Sequence, residues 1–175
     1  GANLLAQISG GTPPGSYPSV DGKSEQYNGS AWTEVADLNT SRTNTNGCGT
    51  QAAGLNTGGY QPPGSINNNE SWNGSAWTEV NDLNTARREA AEAGTSTAAL
   101  YATGNQRPAS PFQINLVESW DGSSWTETTE VNTARNYLAG TGIQTAMLIF
   151  GGSTPPKTAF TELWNGSSWT EVGDL

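Results

Sequence analysis

Two kinds of charged residue recur at fixed places in this sequence and are the first candidates for chemistry. Glu25, Glu70, Glu118 and Glu162 each stand two residues before an aromatic ring, and Arg42, Arg87 and Arg135 each come ten residues after a tryptophan. Taken repeat by repeat, the pairs are Glu25 with Arg42, Glu70 with Arg87, and Glu118 with Arg135. Such a set could form a ring of charged ligand contacts, but a group present in every copy is expected to be a repeated salt bridge or cap, one per repeat. Glycoside hydrolysis needs two carboxylates about 5–9 Å apart; the 16 acidic residues mostly repeat, and no pair stands out. The chain has no His, which removes most catalytic triads, the usual general base and most zinc sites. Its single cysteine, Cys48, cannot form an internal disulfide. It lies where other copies carry Ala93 and Ala139, with no basic neighbour to lower its pKa, and reads as a small buried residue. No catalytic residue, metal or cofactor is expected, and the chain is read as not an enzyme.

The residues that do not repeat are different. Tyr17, Tyr60, Gln61, Arg107, Phe112 and Lys157 fall in Pro-rich loops and are the candidates for ligand binding. Aromatic side chains there suit stacking on a sugar ring or a partner side chain. Sequons at Asn28, Asn69, Asn73 and Asn165 would matter only along a eukaryotic secretory route, and three of them are explained by hairpin turns.

These residues are positioned by a stretch that occurs four times, of which Trp72-Asn73-Gly74-Ser75-Ala76-Trp77 is one copy. Its second tryptophans, Trp32, Trp77, Trp125 and Trp169, are 45, 48 and 44 residues apart, a period that signals a repeat architecture. The repeats run roughly 1–43, 44–88, 89–135 and 136–175 within a single domain of 175 residues. Each contains a short apolar run ending in Gly-Gly, as at Gly58-Gly59, with Asn105 taken as the second residue of the third pair. Short apolar runs bounded by turn residues read as buried strands. A Pro-rich loop ends that strand. A second strand carries Glu and an aromatic ring on one face (Glu70 and Trp72). Asn73-Gly74 then predicts a type I′ hairpin. A third strand begins at the second Trp, and a small-residue fourth strand, such as Asn44 to Gly49, closes the unit. Ala86 to Ala93 has helical propensity, but its counterpart Thr43 to Gly49 could not be helical, so a strand is predicted in both. With that alignment, the distance from each pair to the following second Trp is 21, 18, 20 and 17 residues, and from that Trp to the next pair 27, 28 and 27. The variation gathers in the loop after Gly-Gly, and in repeat proteins variable loops commonly form the binding face.

Gly58-Gly59, Glu70, Trp72, Trp77 and Arg87, with copies that include Trp120, Trp125, Trp164 and Trp169, resemble the kelch repeat, and the resemblance covers the whole chain. It implies an all-β propeller in which each repeat is a four-stranded antiparallel blade. The strands number fifteen, one short of four blades, with the last set expected to be incomplete. The chain would then be part of a longer array or complete its ring with other copies. Asn-Gly-Ser stands where kelch proteins often have Asp-Pro. The near-identical copies resemble kelch-like arrays of marine bacteria and phages. Ser119 to Trp125 resembles the Asp-box of sialidase-type propellers but is one residue short between Asp121 and Gly122.

Composition narrows the partners. Charged residues are only 13% and the net charge is −9, which disfavours nucleic acid and anionic membranes. No run approaches the roughly 18 apolar residues of a membrane span, and no secretory signal is visible. The first residue is not Met, so a processed product or a fragment is expected. An extracellular or virion-associated setting is favoured. The function expected is a binding or adhesion module for a protein or glycan surface. The alternatives are a structural subunit of an assembly and, last, a glycosidase-like enzyme.

Overall fold

A computed structural model describes residues 6–12 and 19–175, and there the chain is all-β with no helix. The first sheet holds β1 (Ala6–Gly11), β2 (Asp21–Tyr27) and β3 (Trp32–Val35). The second holds β4 (Asn46–Thr50), β5 (Ala53–Thr57), β8 (Asn69–Trp72) and β9 (Trp77–Val80). Between them in sequence, β6 (Tyr60–Gln61) and β7 (Gly64–Ser65) form a two-stranded ribbon in the loop after Gly58-Gly59. The third sheet holds β10 (Ala91–Thr95), β11 (Ala98–Ala102), β12 (Val117–Trp120) and β13 (Trp125–Thr128). The fourth holds β14 (Ala139–Ile143), β15 (Ala146–Phe150), β16 (Thr161–Trp164) and β17 (Trp169–Val172). Every paired strand is antiparallel and, within a sheet, each follows its predecessor.

The small-residue strand opens a sheet; it does not close one. β4 pairs with β5, β10 with β11 and β14 with β15 through two-residue turns. Among the described residues the three-stranded sheet is therefore the first, and the last sheet has all four strands. The segment Ala86 to Ala93 is not helical, and Ala91 to Ala93 lie in β10. The strand register puts Ala93 and Thr141, not Ala139, at the place of Cys48, because all three face a leucine of the next strand.

The third Gly-Gly position also shifts by one. Gly58 and Gly59 have φ of 61° and 118°, and Thr103 and Gly104 have 66° and 118°. Thr103-Gly104 is thus the equivalent pair, and Asn105 occupies the place of Tyr60, each bridging the start of the preceding small-residue segment. With that alignment Trp32 to Gly59, Trp77 to Gly104 and Trp125 to Gly152 are all 27 residues. The length of this connection is invariant, and all the variation lies in the loops. A Cβ on Gly58 would come within 2.4 Å of the Arg87 carbonyl oxygen, although the equivalent place in the next repeat holds Thr103.

The tryptophan hairpins are four-residue loops, not type I′ turns. Trp72 pairs with Trp77, so Asn73 to Ala76 form the loop, and only Gly74 has positive φ. Asn73 keeps an ordinary φ because its Oδ1 accepts the N–H of Ser75 at 3.0 Å and of Ala76 at 2.9 Å. This is an Asx-turn. Asp121 does the same with Ser123 and Ser124, and those backbone bonds hold its carboxyl down to about 2.

The core lies between the sheets. Trp72 and Trp77 pack on Leu38 and Val35 of the first repeat. Trp125 packs on Leu55, Leu83 and Val80 of the second. Trp164 and Trp169 pack on Leu100, Val117 and Val131 of the third. The two indoles of a hairpin sit 5.2–5.3 Å apart and tilted. The first indole of each pair donates to a turn carbonyl of its own sheet: Trp72 to Gln51, Trp120 to Ser96, Trp164 to Gln144. The opening strands β4, β10 and β14 lie side by side, and a Cβ on Gly140 would be 2.8 Å from the Ala91 Cβ. That closeness accounts for their small residues.

Candidate functional site

The repeated charges are used between sheets. Arg42 Nη1 is 2.7 Å from Glu70, Arg87 bonds Glu118, and Arg135 is 2.5 Å from Glu162, all with side chains sealed from solvent. Each arginine thus pairs with the glutamate of the next repeat, not its own. Sequence order alone cannot tell these two partners apart. The rest of the Asn-Thr-x-Arg segment completes the clasp: Glu70 also accepts the Asn39 N–H and Nδ2, both at 2.8 Å, and the Thr40 N–H at 3.1 Å. Asn84 and Thr85 treat Glu118 alike, and Asn132 does so for Glu162. The arginine's own carbonyl is tied to its own sheet, as Gly59 N–H donates to Arg87 O at 2.9 Å. These carboxylates are saturated by neighbours and hold the stack together.

The unrepeated residues build something else. Tyr60, Arg107 and Phe112 line one cleft of about 330 Å³ with Pro63, Arg88 and Pro108. Tyr60 opens β6, held by paired backbone bonds with Thr43 at 2.7 and 3.0 Å. Arg88 is held likewise against Asn105. The loop of the third repeat is tied to the ribbon of the second, with Ser65 N–H donating to Arg107 O at 2.8 Å and Ser65 Oγ to Asn105 O at 2.9 Å. Gln106 closes that loop, donating its backbone N–H to Phe112 O and its side chain to Pro111 O.

Each guanidinium in the cleft lies on a ring: Arg88 is 4.5 Å from the Tyr60 centroid and Arg107 is 4.2 Å from that of Phe112. Stacking of this kind holds the planar group and leaves its N–H edge free for an anion. Arg88 also lies 3.2 Å from Glu89, which is itself held by Asn44 and Asn136. Arg107 has no carboxylate partner among the described residues. Tyr137, exposed at the same end, has its hydroxyl pKa pushed up by partial burial and then by its bond with Glu89.

Of the six loop candidates, the structure brings together Tyr60, Arg107 and Phe112. Gln61 is in β6 but does not line the cleft, Lys157 sits in the loop of the fourth repeat, and Tyr17 lies outside the described residues. Arg88, Pro63 and Pro108 were missed by sequence reasoning. A signal for Arg88 existed: it stands where the other copies have Thr43 and Asn136, so it is a charge outside the repeat. No group of three or more potential metal ligands occurs among the described residues. Comparison of the sequence with protein-family models gives no match, and comparison with curated proteins gives none either.

Proposed function

We propose that the four sheets are blades of a kelch-like β-propeller and that the chain is a non-catalytic recognition module. It binds an anionic group on a glycan or protein surface at the cleft between the loops of its second and third repeats. One observation carries this reading: Tyr60, Arg107 and Phe112, residues that break the repeat, converge with Arg88 on a single cleft. Its volume is within the ordinary range for small-ligand sites, roughly 300–1,000 Å³. Tyr and Arg are the residues most enriched at binding hot spots. The chain carries 7 basic residues against 16 acidic ones. Three of the basic groups are sealed in clasps, Lys23 is bound to Glu34 and Arg88 lies against Glu89, so the positive character of the cleft rests on Arg107, which has no carboxylate partner among the described residues.

An array of neutral, carboxylated and sulfated glycans tests the reading. Binding is expected to favour the charged members, to weaken with salt, and to fall about tenfold or more, roughly 1.4 kcal/mol, in Tyr60→Ala and in Arg107→Ala. Binding indifferent to both substitutions would count against the cleft. Turnover of chromogenic glycosides would count against a non-catalytic role.

A further inference from the structure

We propose that the outer face of the first sheet and the outer face of the fourth are mating surfaces, and that two copies of this chain dock through them head to tail. The inference is independent of the ligand cleft. It rests on comparing equivalent positions, which the internal stacking of sheets makes possible.

On the first sheet, the face turned away from the second carries Ile8, Glu25, Tyr27 and Trp32. Trp32 is 47% exposed, whereas its counterparts Trp77, Trp125 and Trp169 are 7%, 5% and 7% exposed. Ile8 is 54% exposed, whereas Asn56, Tyr101 and Ile149 are 4%, 0% and 0%. In the second, third and fourth sheets these positions are covered by the preceding sheet. In the first they lie open.

The fourth sheet shows the converse. Leu175 is 79% exposed, whereas Leu38, Leu83 and Val131 are 5%, 1% and 2%. Its backbone N–H still donates to Ala159, as Leu83 donates to Asn67, so Leu175 itself is placed as its counterparts are. Leu148 is half-buried where Leu55 and Leu100 are 2% and 1% exposed. Leu163, Val172 and Ile143, on the same face, are 43%, 37% and 57% exposed. Apolar residues collected on one face in this way mark an interaction surface.

What covers each of these faces inside the molecule is the other kind of face. Indoles of one sheet lie on the leucine face of the sheet before it at three successive interfaces. By these apolar contacts, the occupant that matches the open indole face is the open leucine face of a second copy. The contact is heterologous, so it adds copies in one direction until a ring closes or a filament grows.

The test uses one substitution on each face, at exposed positions. Ile8→Glu spoils the indole face. Leu163→Glu spoils the leucine face, where the equivalent residues Gln26, Ser71 and Ser119 are already polar. Mass is read by light scattering across a concentration series, in salt that screens the net charge of −9. The wild-type chain is expected to exceed its single-copy mass of 18.3 kDa as concentration rises. Each variant alone is expected to remain at that mass. An equimolar mixture of the two is expected to reach twice it and stop, because one intact face of each kind remains. That recovery also shows that both variants are folded. A wild-type chain that stays single at millimolar concentration overturns the proposal. So does self-association of either variant alone, or a mixture that fails to pair.

Discussion

At the scale of single residues, one buried acid stands outside the repeat. Glu92 sits in β10, 7% exposed, facing the second sheet. One carboxyl oxygen accepts from Thr57 at 2.9 Å and from Cys48 Sγ at 3.6 Å, while the other has no partner among the described residues. Desolvation dominates and pushes its pKa up to about 8 from 4.5. Burial and the same carboxylate push the Cys48 thiol up as well, which fits an inert side chain. The folded-state value of Glu92 is raised, so its contribution is intact below about 4.5 and is lost as pH rises to about 8. At about 1.4 kcal/mol per pKa unit, the loss across that window is on the order of 5 kcal/mol. Glu92→Gln removes the titration. Urea unfolding from pH 5 to pH 9 is expected to show the variant gaining on the wild type with pH and levelling off above 8. A difference that stays constant with pH would mean that Glu92 is ionised in the folded protein.

Among elements, the clasp segment Asn-Thr-x-Arg is the part that joins one sheet to the next. The strands, the tryptophan hairpins and the Glu-x-aromatic face were legible from period-two patterning and from turn residues. Other features were misread, the turn type of those hairpins and two connections between strands and sheets among them. Ten residues separate Val80 from Ala91 but only two separate Thr95 from Ala98, so the small-residue strand had to form its hairpin with the strand after it. That difference in length was available in the sequence, but reading each unit from the Gly-Gly strand onward put the small-residue strand at its end and hid it. The partner of each arginine was not available, because a strict repeat places a glutamate equally in its own copy and in the next. In the candidate site, aromatic loop residues were legible as departures from the repeat, while their convergence depends on how the sheets stack. The clasp gives the second expectation. Glu118→Gln leaves the Arg87 charge buried without a counter-charge and is expected to cost about 3–5 kcal/mol in chemical denaturation. Glu34→Gln, which breaks only the exposed pair with Lys23, is expected to change stability little. Equal effects from the two would mean that the clasps do not carry the stacking.

For the whole molecule, sheets that touch only their neighbours make stability a sum of internal and nearest-neighbour terms. The four copies allow this to be measured with one substitution at equivalent positions. Leu55, Leu100 and Leu148 occupy the same place in β5, β11 and β15, on the face that in the second and third sheets meets the sheet after it. The first two are covered by that sheet, at 2% and 1% exposure, and Leu148 has none of these sheets over it. Truncating a buried leucine typically costs about 2–5 kcal/mol, part of it for the cavity left behind. Leu55→Ala and Leu100→Ala are expected to fall in that range. Leu148→Ala is expected to cost about 1 kcal/mol or less, since water already reaches the site and no closed cavity forms. The comparison has to be made at concentrations where the chain is single, because docking of a second copy would cover Leu148 and raise its cost. If the three substitutions cost the same in the single chain, each sheet is stabilised from within. The repeated indole-on-leucine contacts would then be a consequence of the fold and not its cause.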